Sequence, residues 1–159
     1  MSRFFSAMRR KHLSLSRRPD AVRVLVVDDH ALFAEALMLT LAIDERIEVV
    51  GCGSSGAEAI ALAAALQPDV VLMDLHMPNV DGIEATRRIR GMSPRPQVLM
   101  LSAESSAEAK RHALAAGATR YVTKDTPARS LIEAVVGMNR PIANVTRLPV
   151  RISELRAGA

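Results

Sequence analysis

Five polar residues stand at the ends of short apolar runs, and their types suit the handling of a phosphoryl group. Asp28 and Asp29 follow the run VRVLVV, and Asp74 follows VVLM. Ser102 closes the run VLML, and Lys124 follows RYVT. Carboxylates hold hard divalent cations, while a hydroxyl and an ammonium group stabilise negative charge on oxygen. These five side chains are therefore the candidate site residues.

The apolar runs alternate with stretches of helical pattern, which indicates the elements that carry the candidates. Five strands, each followed by a helix, predict an α/β fold with both faces of a parallel sheet covered and right-handed crossovers. We expect a doubly wound, flavodoxin-like (βα)5 sheet with strand order 2-1-3-4-5. The predicted strands are 22–27, 47–50, 70–73, 98–101 and 120–123, and the predicted helices are 31–42, 57–66, 83–90, 107–116 and 128–138.

Such a sheet would bring the candidate residues together. Its active crevice lies beyond the carboxyl ends of the strands, where the strand order reverses, so Asp28, Asp29 and Asp74 should converge. Three carboxylates repel one another unless a cation neutralises them, and Mg²⁺ prefers carboxylate oxygens. A carboxylate beside Mg²⁺ can attack phosphorus and form an aspartyl phosphate. Lys124 would stabilise the transferring oxygens, and Ser102 could donate a hydrogen bond to the product.

Several stretches with these residues make the chain resemble a receiver domain of the bacterial two-component response regulators. The resemblance covers about residues 21–138. The sequences DDH and KD are similar to those of the subgroup that usually carries a LuxR-type helix-turn-helix output domain. The matching stretches are VRVLVVDDHALFAEAL, PDVVLMDLHMPNVDGIEATRRIR, QVLMLSA and AGATRYVTKD.

The resemblance implies a signalling domain rather than an enzyme, which takes a phosphoryl group from a histidine kinase and changes conformation. The face of residues 107–138 is where this family usually docks a partner or dimerises. Within the chain the resemblance implies Asp74 as phospho-acceptor, Asp28 and Asp29 with Asp74 as Mg²⁺ ligands, Ser102 as switch hydroxyl, Tyr121 as switch aromatic and Lys124 as phosphate partner.

Two departures from the family pattern leave alternatives open. Asp125 follows the lysine where many receivers have proline, and Pro127 comes later, so the geometry of that loop is open. The residues after Arg140 are too few for a helix-turn-helix module, which favours a stand-alone module that binds a protein partner. The alternatives are a derivative of a transcriptional regulator, acting by heterodimerisation or through basic tails, and an unphosphorylated scaffold.

Two rival functions are less consistent with the sequence. Residues 51–56 fit the dinucleotide pattern G-x-G-x-x-G, but that fingerprint normally follows the first strand of its sheet, so a permissive loop is favoured. Phosphatases with an aspartyl nucleophile usually carry a second acid two residues later. His76 holds that position here, and we interpret it, like Glu104, as a solvated loop residue.

Charge and composition predict how the chain is organised. The net charge of +4 over 159 residues comes from the ends, since residues 1–20 hold six Arg or Lys and residues 140–159 hold four Arg. We predict a basic extension at 1–20, a receiver domain at 21–139 and a basic irregular tail at 140–159. Residues 21–139 hold 11 basic and 15 acidic residues, which argues against nucleic-acid binding by this body. The sequence also favours the cytoplasm as the location of the protein. It contains a single cysteine, no signal-peptide pattern and no apolar run long enough to span a membrane.

Overall fold

The computed structural model describes residues 20–138 as five alternating strands and helices around one parallel sheet. The strand order is β2-β1-β3-β4-β5, which confirms the predicted fold and order. The predicted extension at 1–20, apart from Asp20, and the predicted tail at 140–159 lie outside the described residues. The elements are β1 Val22–Val27, α1 Ala31–Leu41, β2 Ile47–Gly53, α2 Gly56–Leu66, β3 Val70–Asp74, α3 Gly82–Arg90, β4 Gln97–Ser102, α4 Ala107–Ala115, β5 Arg120–Thr123 and α5 Ala128–Met138.

Both faces of the sheet are apolar because both are covered by helices. One layer joins the sheet to α1 and α5, and its buried residues include Val24, Leu72 and Leu131. The other joins the sheet to α2, α3 and α4, and includes Leu25, Met73 and Ile89. Alternate residues of the same strands serve opposite layers, which is why the strands of a parallel sheet are nearly continuous apolar runs.

The second strand is longer than predicted. We predicted that it ends at residue 50 and that the glycines after it form a loop, but β2 continues to Gly53. Its residues through Gly53 pair with β1 after a register shift between Val24 and Leu25. A side chain at position 51 would press on Leu66 and Leu25, so this glycine lets α2 pack closely on the strand. The prediction of a permissive loop at residues 51–53 was therefore wrong.

Exposed large hydrophobic side chains are concentrated on and just after α1. Leu32 is 83% exposed, Leu39 is 49% exposed, and Ile43, in the turn after the helix, is 81% exposed. Seven residues separate the two leucines, which places them two turns apart on one helix face. We call these three residues the α1 stripe. Leu114 on α4 is the remaining exposed large hydrophobic in the described part of the chain.

No helix within residues 20–138 has the length and apolar character needed to cross a membrane.

The turn from β3 into α3 depends on close contact between two backbone segments. Gly82 begins α3 and donates its backbone N–H to the carbonyl of Leu75, 3.0 Å away. A Cβ atom at position 82 would collide with the carbonyl oxygen of Asp74. The absence of a side chain at Gly82 therefore helps to hold Asp74 in place.

We predict that Gly82→Ala lowers the free energy of unfolding by about 2–3 kcal/mol, because the new methyl group must displace backbone rather than a flexible side chain. Gly137→Ala is the matched control, since nothing lies within 4 Å of a Cβ at that position in α5. The control should stabilise the protein by about 0.5–1 kcal/mol, as alanine favours helix over glycine. Urea unfolding measures both changes, and equal effects of the two substitutions would contradict the close contact.

Candidate functional site

The carboxylates converge because β1 and β3 are adjacent and in register. Val27 pairs with Met73, so the next residue of each strand, Asp28 and Asp74, lies at the same edge of the sheet. Both are buried, with 3% and 4% exposure, whereas Asp29 is exposed. Ligand atoms of Asp28, Asp29, Asp74 and His30 all lie within 4.8 Å of one another. The three predicted metal-ligand carboxylates are thus brought together.

Lys124 supplies the positive charge of this cluster. Its backbone N–H donates to the carbonyl of Ser102, 2.9 Å away, which extends the pairing of β4 with β5. Its Nζ lies 2.5 Å from Oδ2 of Asp28 and 3.2 Å from Oδ1 of Asp74. One ammonium group therefore bridges two buried carboxylates, which matches the sequence prediction that these residues converge.

The carboxylates carry more negative charge than Lys124 can neutralise. Burial raises the pKa of Asp74, as does the neighbouring charge of Asp28, and the opposing effect of Lys124 does not cancel them. Burial by itself lowers the pKa of Lys124, but the hydrogen bond to Asp28 and the charge of Asp74 outweigh it, so that pKa is raised. The excess of negative charge therefore favours the binding of a further cation at this site.

Two residues of the site were not predicted. His30 places Nδ1 3.1 Å from Asp29 and 3.4 Å from Asp28, and its backbone N–H donates to Asp28 at 2.9 Å. The ring of Phe33 lies beneath Lys124, with Nζ 4.5 Å from its centroid, which is a cation–π contact. The sequence signal for His30 was its place directly after the acid pair. Phe33 gave no signal, because a single apolar residue on a helix usually only packs.

A short hydrogen-bond chain links Ser102 to Tyr121. The backbone N–H of Glu104 donates to Oγ of the fully buried Ser102, 3.1 Å away. The hydroxyl of Tyr121 donates to the backbone carbonyl of Glu104 at 2.6 Å. Since the Ser102 oxygen only accepts in this chain, its proton is available for another acceptor. Sequence reasoning proposed Ser102 and Tyr121 but did not predict that Glu104 connects them.

His76 and Glu104, each two residues beyond a member of the site, contact each other through their side chains. Nε2 of His76 lies 2.9 Å from Oε2 of Glu104, and the hydroxyl of Ser106 donates to the other carboxylate oxygen. The hydrogen bonds from Ser106 and His76 lower the pKa of Glu104. We interpreted both residues as solvated loop residues, and they are indeed partly exposed, but they face each other across two loops.

The loop after Lys124 is built without a proline next to the lysine. Thr126 donates its backbone N–H to Thr123 at 3.0 Å, and Pro127 accepts from the N–H of Leu131 at 3.1 Å. Asp125 is exposed in the turn between them. The cis peptide bond among the described residues is Ser93–Pro94, away from this loop. A tight turn followed by the first turn of α5 thus positions Lys124.

Nucleotide binding at residues 51–56 would need a free helix N-terminus, but the N-terminus of α2 is already capped. Ser55 caps α2 by accepting from the N–H of Glu58 at 3.2 Å. The Glu58 carboxylate in turn accepts from the N–H and hydroxyl of Ser54 at 2.7 and 3.0 Å. A carboxylate already occupies the donors that a phosphate would need, which disfavours nucleotide binding there.

Comparison with known proteins agrees with this geometry. The model of the response regulator receiver domain matches residues 24–136. The chain belongs to the response regulator receiver family. This family consists of phospho-acceptor signalling domains rather than catalytic enzymes.

Individual relatives of this receiver place it near the LuxR and NarL regulators. The response regulator VraR of Staphylococcus aureus is 43% identical over 114 residues, which cover 72% of this chain and 54% of VraR. The receiver domain of NarL from Mycobacterium tuberculosis has a TM-score of 0.72 and 35% identity, with 75% of this chain and 96% of that chain covered. A LuxR-family regulator from Aurantimonas has a TM-score of 0.65 and 34% identity, with 74% and 86% covered. The chain spans about half the length of the curated relatives it matches.

The donor set of the receiver fits a hard divalent cation. Asp28, Asp29 and Asp74 offer carboxylate oxygens within 4.8 Å of one another, and His30 adds a ring nitrogen. Asp29 is exposed, so water can complete the coordination from that side. The cluster can hold a metal ion of the size and charge of Mg²⁺.

We predict that Asp74→Asn raises the free energy of unfolding at neutral pH when divalent metal is removed with EDTA. The raised pKa of Asp74 means that its ionised form is disfavoured in the folded protein, so a neutral amide should relieve that cost. Asp125→Asn is the control, since it removes the same charge from an exposed turn and should change little. Urea unfolding compares the variants, and a destabilised Asp74→Asn protein would contradict this assignment of the charge balance.

Proposed function

We propose that this receiver accepts a phosphoryl group from a histidine kinase on Asp74 and changes conformation to control a partner. The observation that supports it is the buried Asp74 carboxylate, which shares one lysine with Asp28. Asp28 is committed at both oxygens, since Oδ1 accepts from His30 and Oδ2 from Lys124. Oδ1 of Asp74 lies 3.2 Å from Nζ of the same lysine, and we take the Asp74 carboxylate as the nucleophile.

The transfer itself needs few groups from the protein. An oxygen of Asp74 forms a bond to phosphorus as the bond between phosphorus and the kinase histidine nitrogen breaks, and the electron pair returns to that nitrogen. Bound at Asp28, Asp29 and Asp74, Mg²⁺ would neutralise the crowded carboxylates and the phosphoryl oxygens. Lys124 is positioned to pair with the aspartyl phosphate, and the hydroxyl of Ser102 can donate a hydrogen bond to it.

The same contacts could drive the switch. Each charge-assisted contact to Ser102 or Lys124 contributes about 1.5–3 kcal/mol, whereas moving an equilibrium from 1:99 to 99:1 takes about 5.5 kcal/mol. Two contacts therefore nearly suffice. If Ser102 moves towards the phosphoryl group, Glu104 must follow, because its N–H is bonded to Oγ of Ser102. Tyr121 is bonded to the Glu104 carbonyl, so the movement reaches β5.

The α1 stripe is our proposed docking surface for the kinase. The helix α1 begins at Ala31, two residues after Asp29, and the stripe consists of Leu32 and Leu39 on this helix and Ile43 in the turn after it. A kinase that presents its phosphohistidine to Asp74 on a helix can cover these side chains with the same helix. Such a partner would be an amphipathic helix or helical bundle. Because histidine kinases present their phosphohistidine in the cytoplasm, we place the receiver there as well.

The response would be read on another face, formed by residues 107–138. This face includes Tyr121 and the exposed Leu114, at the far end of the chain of contacts from Ser102. The proposed partner there is a protein or a second copy of the receiver. A second candidate function is control of transcription, supported by the LuxR-family relatives and by their greater length. We propose 21–139 as the receiver unit in either case.

We predict that acetyl phosphate with Mg²⁺ adds one phosphoryl group to the wild-type protein and none to Asp74→Asn. Asp28→Asn with Asp29→Asn should also abolish labelling while the protein stays folded, because the metal ligands are lost. Ser102→Ala should retain much of the labelling, since the hydroxyl contacts the product rather than transferring it. Intact-mass measurement decides each case, and an adduct that persists in Asp74→Asn would refute the site.

We predict that Leu32→Ser with Leu39→Ser slows phosphotransfer from a histidine kinase at least tenfold, but leaves labelling by acetyl phosphate unchanged. The small donor reaches Asp74 without docking, whereas the kinase loses the apolar contact. Leu114→Ser is the matched control on the other face and should leave both rates unchanged. The kinase is found by screening phosphorylated kinases against the wild-type protein. Equal slowing with both phosphodonors would show that the substitutions damage the site itself.

A further inference from the structure

Lys124 contacts an aromatic ring in addition to the two buried carboxylates. Its Nζ lies 4.5 Å from the centroid of the Phe33 ring, which is within the range of a cation–π contact. The lysine side chain is only 16% exposed, so little of it faces water. An ammonium group has three N–H donors, and the nearest oxygens of Asp28 and Asp74 can accept two of them. The ring is therefore a partner for the side of the ammonium group that these oxygens leave uncovered.

The fold holds this ring in place independently of the site. Phe33 lies in the first turn of α1 and is half-buried against the apolar layer that contains α1 and α5. A groove of about 140 Å³ runs beside the ring, and its lining includes Phe33, Lys124 and Thr126. A smaller side chain at position 33 would widen this groove next to the lysine. Loss of the ring would therefore give Lys124 more freedom to move.

The proposed phosphoryl transfer changes both carboxylate partners of Lys124 but leaves the ring as it is. When an oxygen of Asp74 bonds to phosphorus, that carboxylate loses its negative charge and its attraction for Lys124 weakens. A metal ion bound at Asp28 competes with the lysine for the other carboxylate. The phenyl ring takes part in neither step, so its attraction for the ammonium group persists. The ring can therefore hold Lys124 over the site while the ionic partners of this lysine change.

We propose that Phe33 is a positioning residue for the phosphoryl transfer, whose ring holds Lys124 over the site by a cation–π contact. The inference rests on the proposed function, because the held ammonium group pairs with the phosphoryl oxygens that the transfer brings to Asp74. A lysine without the ring would lose its orientation as Asp74 reacts. A mobile cation stabilises developing charge less well than a fixed one, so Phe33 acts on the rate through Lys124.

A double-mutant cycle in the full chain tests this role. With acetyl phosphate and saturating Mg²⁺, Phe33→Leu should slow the labelling of Asp74 about three- to tenfold, as expected for the loss of a partly desolvated cation–π contact. Phe33→Tyr keeps an aromatic ring and should label within about twofold of the wild-type rate. In Lys124→Met protein the cation is gone, so Phe33→Leu should have no further effect. Equal slowing in both backgrounds would overturn the proposal, because the ring would then act by packing.

Fluorinated phenylalanines at position 33 separate the electrostatics of the ring from its shape. One, two or three fluorine atoms progressively weaken the negative face of the ring, while its size changes little. The labelling rate should fall stepwise through this series in the wild-type background and stay constant in Lys124→Met protein. A constant rate through the series in the wild-type background would refute the cation–π contact, even if Phe33→Leu is slow.

A measurement on the Mg²⁺-loaded protein keeps this inference separate from the proposed function. Protons of a lysine side chain held over an aromatic ring resonate upfield because of the ring current. NMR of protein with isotopically labelled lysine should show this shift at the ε-protons of Lys124 both without and with Mg²⁺, and Phe33→Leu should remove it. Loss of the shift on addition of Mg²⁺ would overturn the proposal. If no donor phosphorylates the wild type, the proposed function fails, whereas a shift that persists with Mg²⁺ still supports the hold of the ring on Lys124.

Discussion

The bridge from Lys124 to Asp28 and Asp74 is the interaction on which the rest of the site depends. Both carboxylates are buried, and the ammonium group lies 2.5 and 3.2 Å from them. Burying such charges costs several kcal/mol per ion, and the fold can sustain it only because two apolar layers hold the sheet on either side. The apolar core thus supports an edge that is electrostatically unfavourable until another cation arrives.

The balance of that edge also explains why a modification there can be felt elsewhere. The members of the site lie at the ends of β1, β3, β4 and β5, so a change at Asp74 acts on the ends of neighbouring strands. Ser102 is fully buried and connects through Glu104 to Tyr121. In the proposed switch, these hydrogen bonds would carry a movement of Ser102 from β4 to β5.

Much of this arrangement could be predicted from sequence, because it rests on strong local signals. Continuous β-branched runs give the strands, and polar residues at their ends give the site. The exceptions have physical causes. The strand β2 extends to Gly53 although glycine usually ends a strand, because β1 supplies a partner and Leu66 packs where a side chain would stand. The roles of His30 and Phe33 appear only once α1 is placed beside Lys124.

In the function proposed above, the kinase and the output partner contact different helices. The α1 stripe begins next to the acid pair, on the side of β1. Tyr121 and α4 lie on the side of β4 and β5, beyond Ser102. In the proposed function, a kinase docked along α1 would leave α4 uncovered, because α4 belongs to the other helical layer. The helix α5 shares the layer of α1, so of the proposed output face it is α4 and not α5 that a partner could reach while the kinase is docked.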